Sequence, residues 1–222
     1  MSLIKEIIKL GVPIILEGAI ISIIGVIVNF ALHLFALDFV VIAYIIMIKI
    51  QDTAFSPIYG IASALGIVVG HLNGAKRYKK MQEIIIKTTI ISLICIAFIS
   101  IIIVKFNLHL AGLFTDDFLV LEEVETVVIF IVITLVNYTF ITIVTEVLIG
   151  LKKSGQSLFF IVLNVILIFI SIFIFDVVLN LSDVGVFSAV VVADAIESLV
   201  MIYVLIRMNN RRLKEEMAAG DV

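Results

Sequence analysis

Six long apolar runs limit this chain to few folds. They cover about 10–36, 39–70, 84–104, 124–149, 157–179 and 185–206. A helix needs about 20 apolar residues to cross roughly 30 Å of hydrocarbon, and each run supplies them. The runs are continuous, without the alternation of a membrane barrel strand, so helices are expected throughout. Of the 222 residues, 63% are hydrophobic and 15% charged. A soluble domain is nearer a quarter charged, so lipid is the expected solvent. The fold class expected is all-α: a polytopic membrane protein with six transmembrane helices in residues 1–208 and a short cytoplasmic tail at 209–222. Pro57, inside the second run, removes a backbone hydrogen bond and predicts a tilt or kink. Lys5 and Lys9 resemble the basic end of a signal peptide. The apolar stretch behind them is too long for one and has no small-residue cleavage pattern, so it reads as a retained first helix.

The connections between runs alternate in charge. Lys5 and Lys9 precede the first, and Lys76, Arg77, Lys79, Lys80 and Lys87 follow the second. Lys152 and Lys153 follow the fourth, and Arg207, Arg211, Arg212 and Lys214 follow the sixth. Thirteen of the 15 basic residues thus fall on one side. The other side carries Asp38, Asp116, Asp117, Glu122, Glu123, Glu125 and Asp183. Positive charge stays inside, which places both termini in the cytoplasm of a multi-pass cell-membrane protein.

Several polar residues interrupt the apolar runs. Glu17, Asp52, Asp194 and Glu197 are acids within spans, and Lys49 is the one base. A charge near the bilayer centre costs about 3 kcal/mol, so each needs a partner, water or a proton. At about 1.5 Å per residue, Glu17, Asp52, Asn137, Asn164 and Glu197 fall near one depth on five helices. A single polar cavity is the reading that follows. The alternative is private pairing, such as Lys49 with Asp52. Glu146 lies at a span end and is expected to snorkel or cap. Gly11, Gly18, Ser22, Gly25 and Asn29 share a face of the first helix. Lys49, Asp52, Ser56, Tyr59, Ser63, Gly66 and Gly70 share one on the second. These faces either pack closely or line something wet. Tyr59, Tyr138 and Met201 are candidates for the wall of a greasy substrate cavity, packing being the commoner role of such residues.

No enzyme site is visible, and no cofactor is expected. His33, His71 and His109 sit near helix ends on different sides, and Cys95 is the single cysteine. The stretch Gly70 to Gly74 lacks the Lys-Ser/Thr pair of a phosphate loop. Work would have to come from an ion gradient or from a partner. The net charge of −3 argues against nucleic acid as a partner.

Four segments carry a resemblance to a known family. They are LGVPIILEGAIISIIGVIVNFAL in the first helix, GIASALGIVVGHLNGAKRYKKM ending the second, LAGLFTDDFLVLEEVETVV before the fourth, and LIGLKKSGQSLFFIVLN after it. In this order they resemble one half of the multidrug and toxic compound extrusion (MATE) transporters. Gly70, Gly74 and Ala75 match the family's cytoplasmic turn, and Glu17 sits where many C-terminal halves carry an acid. His71 replaces the usual glutamine beside that turn, and the fourth-helix carboxylate has no clear match, Asn137 being the nearest polar residue. Full-length members have twelve helices in two related halves. The resemblance therefore implies a half-size secondary transporter protomer, acting as a parallel homodimer or in a hetero-pair. Its expected work is export of hydrophobic or cationic solutes against H⁺ or Na⁺. Glu17, Asp52, Asp194 and Glu197 are the expected ion-coupling residues. Lys49, Ser56, Tyr59, Asn137, Tyr138 and Asn164 are the expected substrate-cavity residues. A flippase-like half for a lipid-linked substrate and a non-transporting membrane partner remain as alternatives.

Overall fold

The computed structural model describes the backbone of residues 2–220 and the side chains of residues 5 and 8–212. Six helices form: α1 (Ser2–Phe35), α2 (Asp38–Gly74), α3 (Tyr78–Ala111), α4 (Phe118–Gly150), α5 (Ser154–Ile172) and α6 (Ser182–Gly220). All six are long and apolar enough to cross a membrane. Among the described residues there is no strand. The protein is a polytopic membrane protein. The backbone of the expected tail continues α6 as far as Gly220, while the Lys214 side chain and positions 221–222 lie outside the described residues.

Successive helices reverse direction, so the turns at 75–77 and 151–153 lie at the basic end of the bundle. Both turns close in the same way. Arg77 N–H donates to the Leu72 carbonyl at 3.0 Å, and Lys153 N–H to the Leu148 carbonyl at 2.8 Å. The residues before them, Lys76 (φ 55°) and Lys152 (φ 59°), are left-handed, as this helix-ending motif requires. At the acidic end, the Asp117 side chain accepts from Leu119 N–H at 2.9 Å and caps α4.

α2 and α4 form the centre. Half of the most apolar stretch of α4 is buried, against 6% for α1. Leu32, Met47, Phe55, Ile58, Leu135 and Phe187 are fully enclosed in one apolar cluster. Met81, Leu148, Phe160 and Met201 belong to a second, nearer the basic end. Val26, Ile94, Phe98 and Leu199 are each more than 60% exposed, a surface suited to lipid rather than water.

α2 keeps a helical backbone through Pro57. Irregular backbone occurs at Phe106 in α3 (φ −116°, ψ 16°) and in a π-helical segment, Phe173–Val178, that extends α5. The face of α2 also changes use along its length. Lys49, Asp52 and Tyr59 of its outer half line a cavity, whereas Gly66 and Gly70 let the α4 backbone approach at Gly150.

Candidate functional site: a carboxylate-lined cavity

The polar residues of five helices converge on one cavity of about 770 Å³. α1 contributes Glu17 and Asn29, and α2 contributes Lys49, Asp52 and Tyr59. Tyr138 and Glu146 come from α4, Asn164 from α5, and Asp194 and Glu197 from α6. Ile14, Ile45, Phe130 and Ile161 fill the wall between them. The volume is in the range of small-molecule sites, and so is the mixture of greasy wall and few polar groups.

Each helix presents its polar group for a local reason. On α6, Phe187, Val190, Asp194 and Glu197 recur at steps of three and four and share one face. Asp194 and Glu197 are deeply buried, 8% and 4% exposed. The Asn164 amide, itself enclosed, donates to Asp194 Oδ1 at 3.1 Å. Ser157 Oγ donates to Glu17 Oε2 at 2.9 Å, tying α5 to α1. Tyr59 and Tyr138 meet through their hydroxyls at 3.3 Å, and both rings pack against Phe55. These contacts hold Glu17 and Asp194 but satisfy only part of their accepting capacity, which leaves lone pairs for a cation, a proton or a donor on a solute.

Eight of the ten expected site residues line this cavity. Asn137 and Ser56 do not. Asn137 has the right depth but the wrong azimuth: its Oδ1 accepts from Ser198 Oγ at 3.5 Å, between α4 and α6. Ser56 is exposed on α2 outside the cavity wall. Lys49 lies within about 20° of it around the helix and reaches the cavity on a longer stem. Met201 is buried in the apolar cluster near the basic end rather than in the cavity. Lys49 and Asp52 both line the wall, and among the described residues they do not form an ion pair.

Glu146 is the residue that sequence reasoning missed. It neither snorkels nor caps. It lines the cavity, and Ser63 Oγ donates to its Oε1 at 3.1 Å. A signal existed: Thr134, Tyr138, Thr142, Thr145 and Glu146 form a polar stripe at helical spacing on α4, and all of them line the cavity. Among the described residues, no group of three or more His, Cys, Asp or Glu side chains could hold a metal ion.

The MatE family profile matches residues 13–175, well over half of the chain. The chain belongs to the MatE family. Solved structures agree in fold. An outward-facing multidrug resistance MATE family transporter of the MOP superfamily superposes with a TM-score of 0.90 at 18% identity. The match covers 96% of this chain and 48% of that one. A MATE structure in the bent conformation gives 0.88 at 18% identity, covering 97% and 48%. A MOP superfamily transporter from Pyrococcus furiosus, described as having a binding pocket of reverse polarity, gives 0.78 at 16%, covering 90% and 44%. The chain thus spans about half the length of the structures it matches. No curated protein matches it in sequence. The cavity wall is built by α1, α2, α4, α5 and α6, with α3 outside it.

Proposed function

We propose that this chain is a half-size secondary transporter protomer that exports hydrophobic or cationic solutes in exchange for H⁺ or Na⁺. The observation that carries the reading is the cavity's charge: Glu17, Asp52, Glu146, Asp194 and Glu197 face one ammonium, Lys49, and no arginine. An excess of carboxylate in a greasy wall favours a cation with apolar substituents. It is unsuited to an anionic lipid-linked headgroup, which would need several bases. An ionised carboxylate inside the bilayer costs about 3 kcal/mol, so an empty site takes up a proton or a metal cation. A cationic solute competes for the same carboxylates, and that competition couples the two fluxes.

Transport by the purified protein in liposomes, under separate pH and Na⁺ gradients, tests this with a fluorescent organic cation. Wild-type protein is expected to move the dye under one gradient. Glu17→Gln and Asp52→Asn are each expected to lower the rate by roughly tenfold or more while remaining folded. Wild-type rates in both variants would remove the coupling role.

The protomer is proposed to work as a parallel homodimer in the cell membrane, with all termini cytoplasmic. The halves of a parallel-repeat transporter share one orientation, and two copies of this chain can do so without inverting. A closed pair is also the commonest assembly of identical chains. α1 supports the reading, because it is the least buried span. Mass measurement in native-like lipid should give twice the chain mass, and a cysteine at position 18 should cross-link the pair. A monomer that still transports would sink the half-transporter reading.

A further inference from the structure

The last turns of α6 carry three arginines with different surroundings. Arg212 turns inward: its guanidinium donates to Asn73 Oδ1 at 2.7 Å and lies 5.8 Å from the Tyr78 ring centroid. Arg207 and Arg211 turn outward and are exposed. Among the described residues neither has a hydrogen bond or an ion pair. They are one helical turn apart, about 6 Å along the axis, and with Tyr203, Ile206 and Asn210 they line a groove of about 310 Å³.

This groove is on the face of α6 away from the cavity. Tyr203 is nine residues beyond Asp194, which is about 180° around the helix. The face continues into the membrane as Leu199, Ile196 and Val192, all exposed and apolar. From Val192 to Tyr203 the rise is about 17 Å. Half of the hydrocarbon core is about 15 Å. The stripe therefore has one leaflet's depth of apolar surface, then a tyrosine at the interface, then two guanidiniums.

The local field is positive. Burial, and then the charges of Arg212 and Arg211, hold the Lys153 ammonium below its usual range. An unpaired guanidinium presents a planar fork of donors that matches phosphate. A free anion would satisfy the arginines but leave the apolar track unused, whereas a phospholipid uses both.

We propose that the outward face of α6 is a binding site for one anionic phospholipid, its phosphate held by Arg207 and Arg211 and its acyl chain laid along Leu199 and Ile196. The site does not depend on the transport reading.

Native mass spectrometry of the full chain, given equal amounts of phosphatidylglycerol and phosphatidylcholine of the same chain length, tests it. Wild-type protein is expected to retain phosphatidylglycerol over phosphatidylcholine by about tenfold. Arg207→Gln with Arg211→Gln should bring the ratio to within about twofold of unity, and Lys76→Gln with Lys80→Gln should leave it at the wild-type value. Inorganic phosphate at millimolar concentration should not displace the lipid. Three outcomes would overturn the proposal: no preference in the wild-type protein, an equal loss in the Lys76/Lys80 variant, or displacement by phosphate. The first and third need only wild-type protein, so poor extraction of a variant does not shield the proposal.

Discussion

Gly150→Leu is expected to leave little folded protein. A Cβ at position 150 would be driven into the Gly66 carbonyl, and would lie 3.1 Å from the Gly66 carbonyl carbon and 3.3 Å from the Gly70 nitrogen. These are backbone atoms, so no rotamer change relieves the collision. The facing position is as tight: a Cβ at Gly66 would lie 3.0 Å from the Glu146 carbonyl oxygen. α2 and α4 are the central helices, and separating them opens the bundle. Overpacking of a well-filled core costs typically 1–3 kcal/mol, and a collision between backbones belongs at or above the upper end, about 3 kcal/mol. Thermal unfolding in detergent is the measurement, with extracted yield beside it. Gly11→Ala is the control, because nothing lies within 4 Å of that site and alanine is the better helix former. A melting temperature for Gly150→Leu close to wild type would mean that the helices do not cross there.

The second large effect is expected at Asn164→Leu. Asn164 is the amide donor to Asp194, and both are more than 90% buried. Leucine would strand a buried carboxylate, at a cost of about 1–3 kcal/mol, more if the carboxylate stays charged. Asp194→Asn should be milder, since an asparagine of the same shape can still pair with Asn164. The double change, Asn164→Leu with Asp194→Leu, should recover part of the loss, because the Asp194 carboxylate is then no longer stranded. The melting temperatures of wild type, Asn164→Leu, Asp194→Leu and the double variant form a cycle. If the two changes simply add, the pair holds nothing together and the hydrogen bond is incidental.

The cavity was partly legible in the sequence. Glu17, Asp52, Asn164 and Glu197 were placed at one depth by counting residues from the span ends, and the structure puts all four on one cavity wall. Counting works because a helix rises by a fixed amount per residue. It fails for rotation about the axis. Asn137 was assigned to the same wall by depth, but each residue advances about 100°, and its neighbour Tyr138 is the one that faces the cavity. Glu146 was misjudged for a different reason. A carboxylate at a span end is usually free to reach water. Here α2 comes close at Gly66, and the carboxylate meets Ser63 on the cavity wall instead. The Lys49–Asp52 alternative was reasonable on spacing, and both side chains turn into the common cavity.

The sequence by itself determined the six helices, their approximate ends, the absence of strand pattern and the sorting of charge between the two ends of the bundle. These are properties of each segment taken alone: its length, its transfer energy into lipid, its flanking charge. The tertiary structure decided which face of each helix is inward, where α2 and α4 touch, and which buried acids share a cavity. Between lipid-exposed helices no large hydropathy difference marks the inner face, because a leucine is as comfortable against lipid as against protein. Rotation is set instead by close packing at small residues and by a few buried hydrogen bonds, Gly66 against Gly150 and Asn164 to Asp194 among them, and those partners are found only when distant segments are brought together.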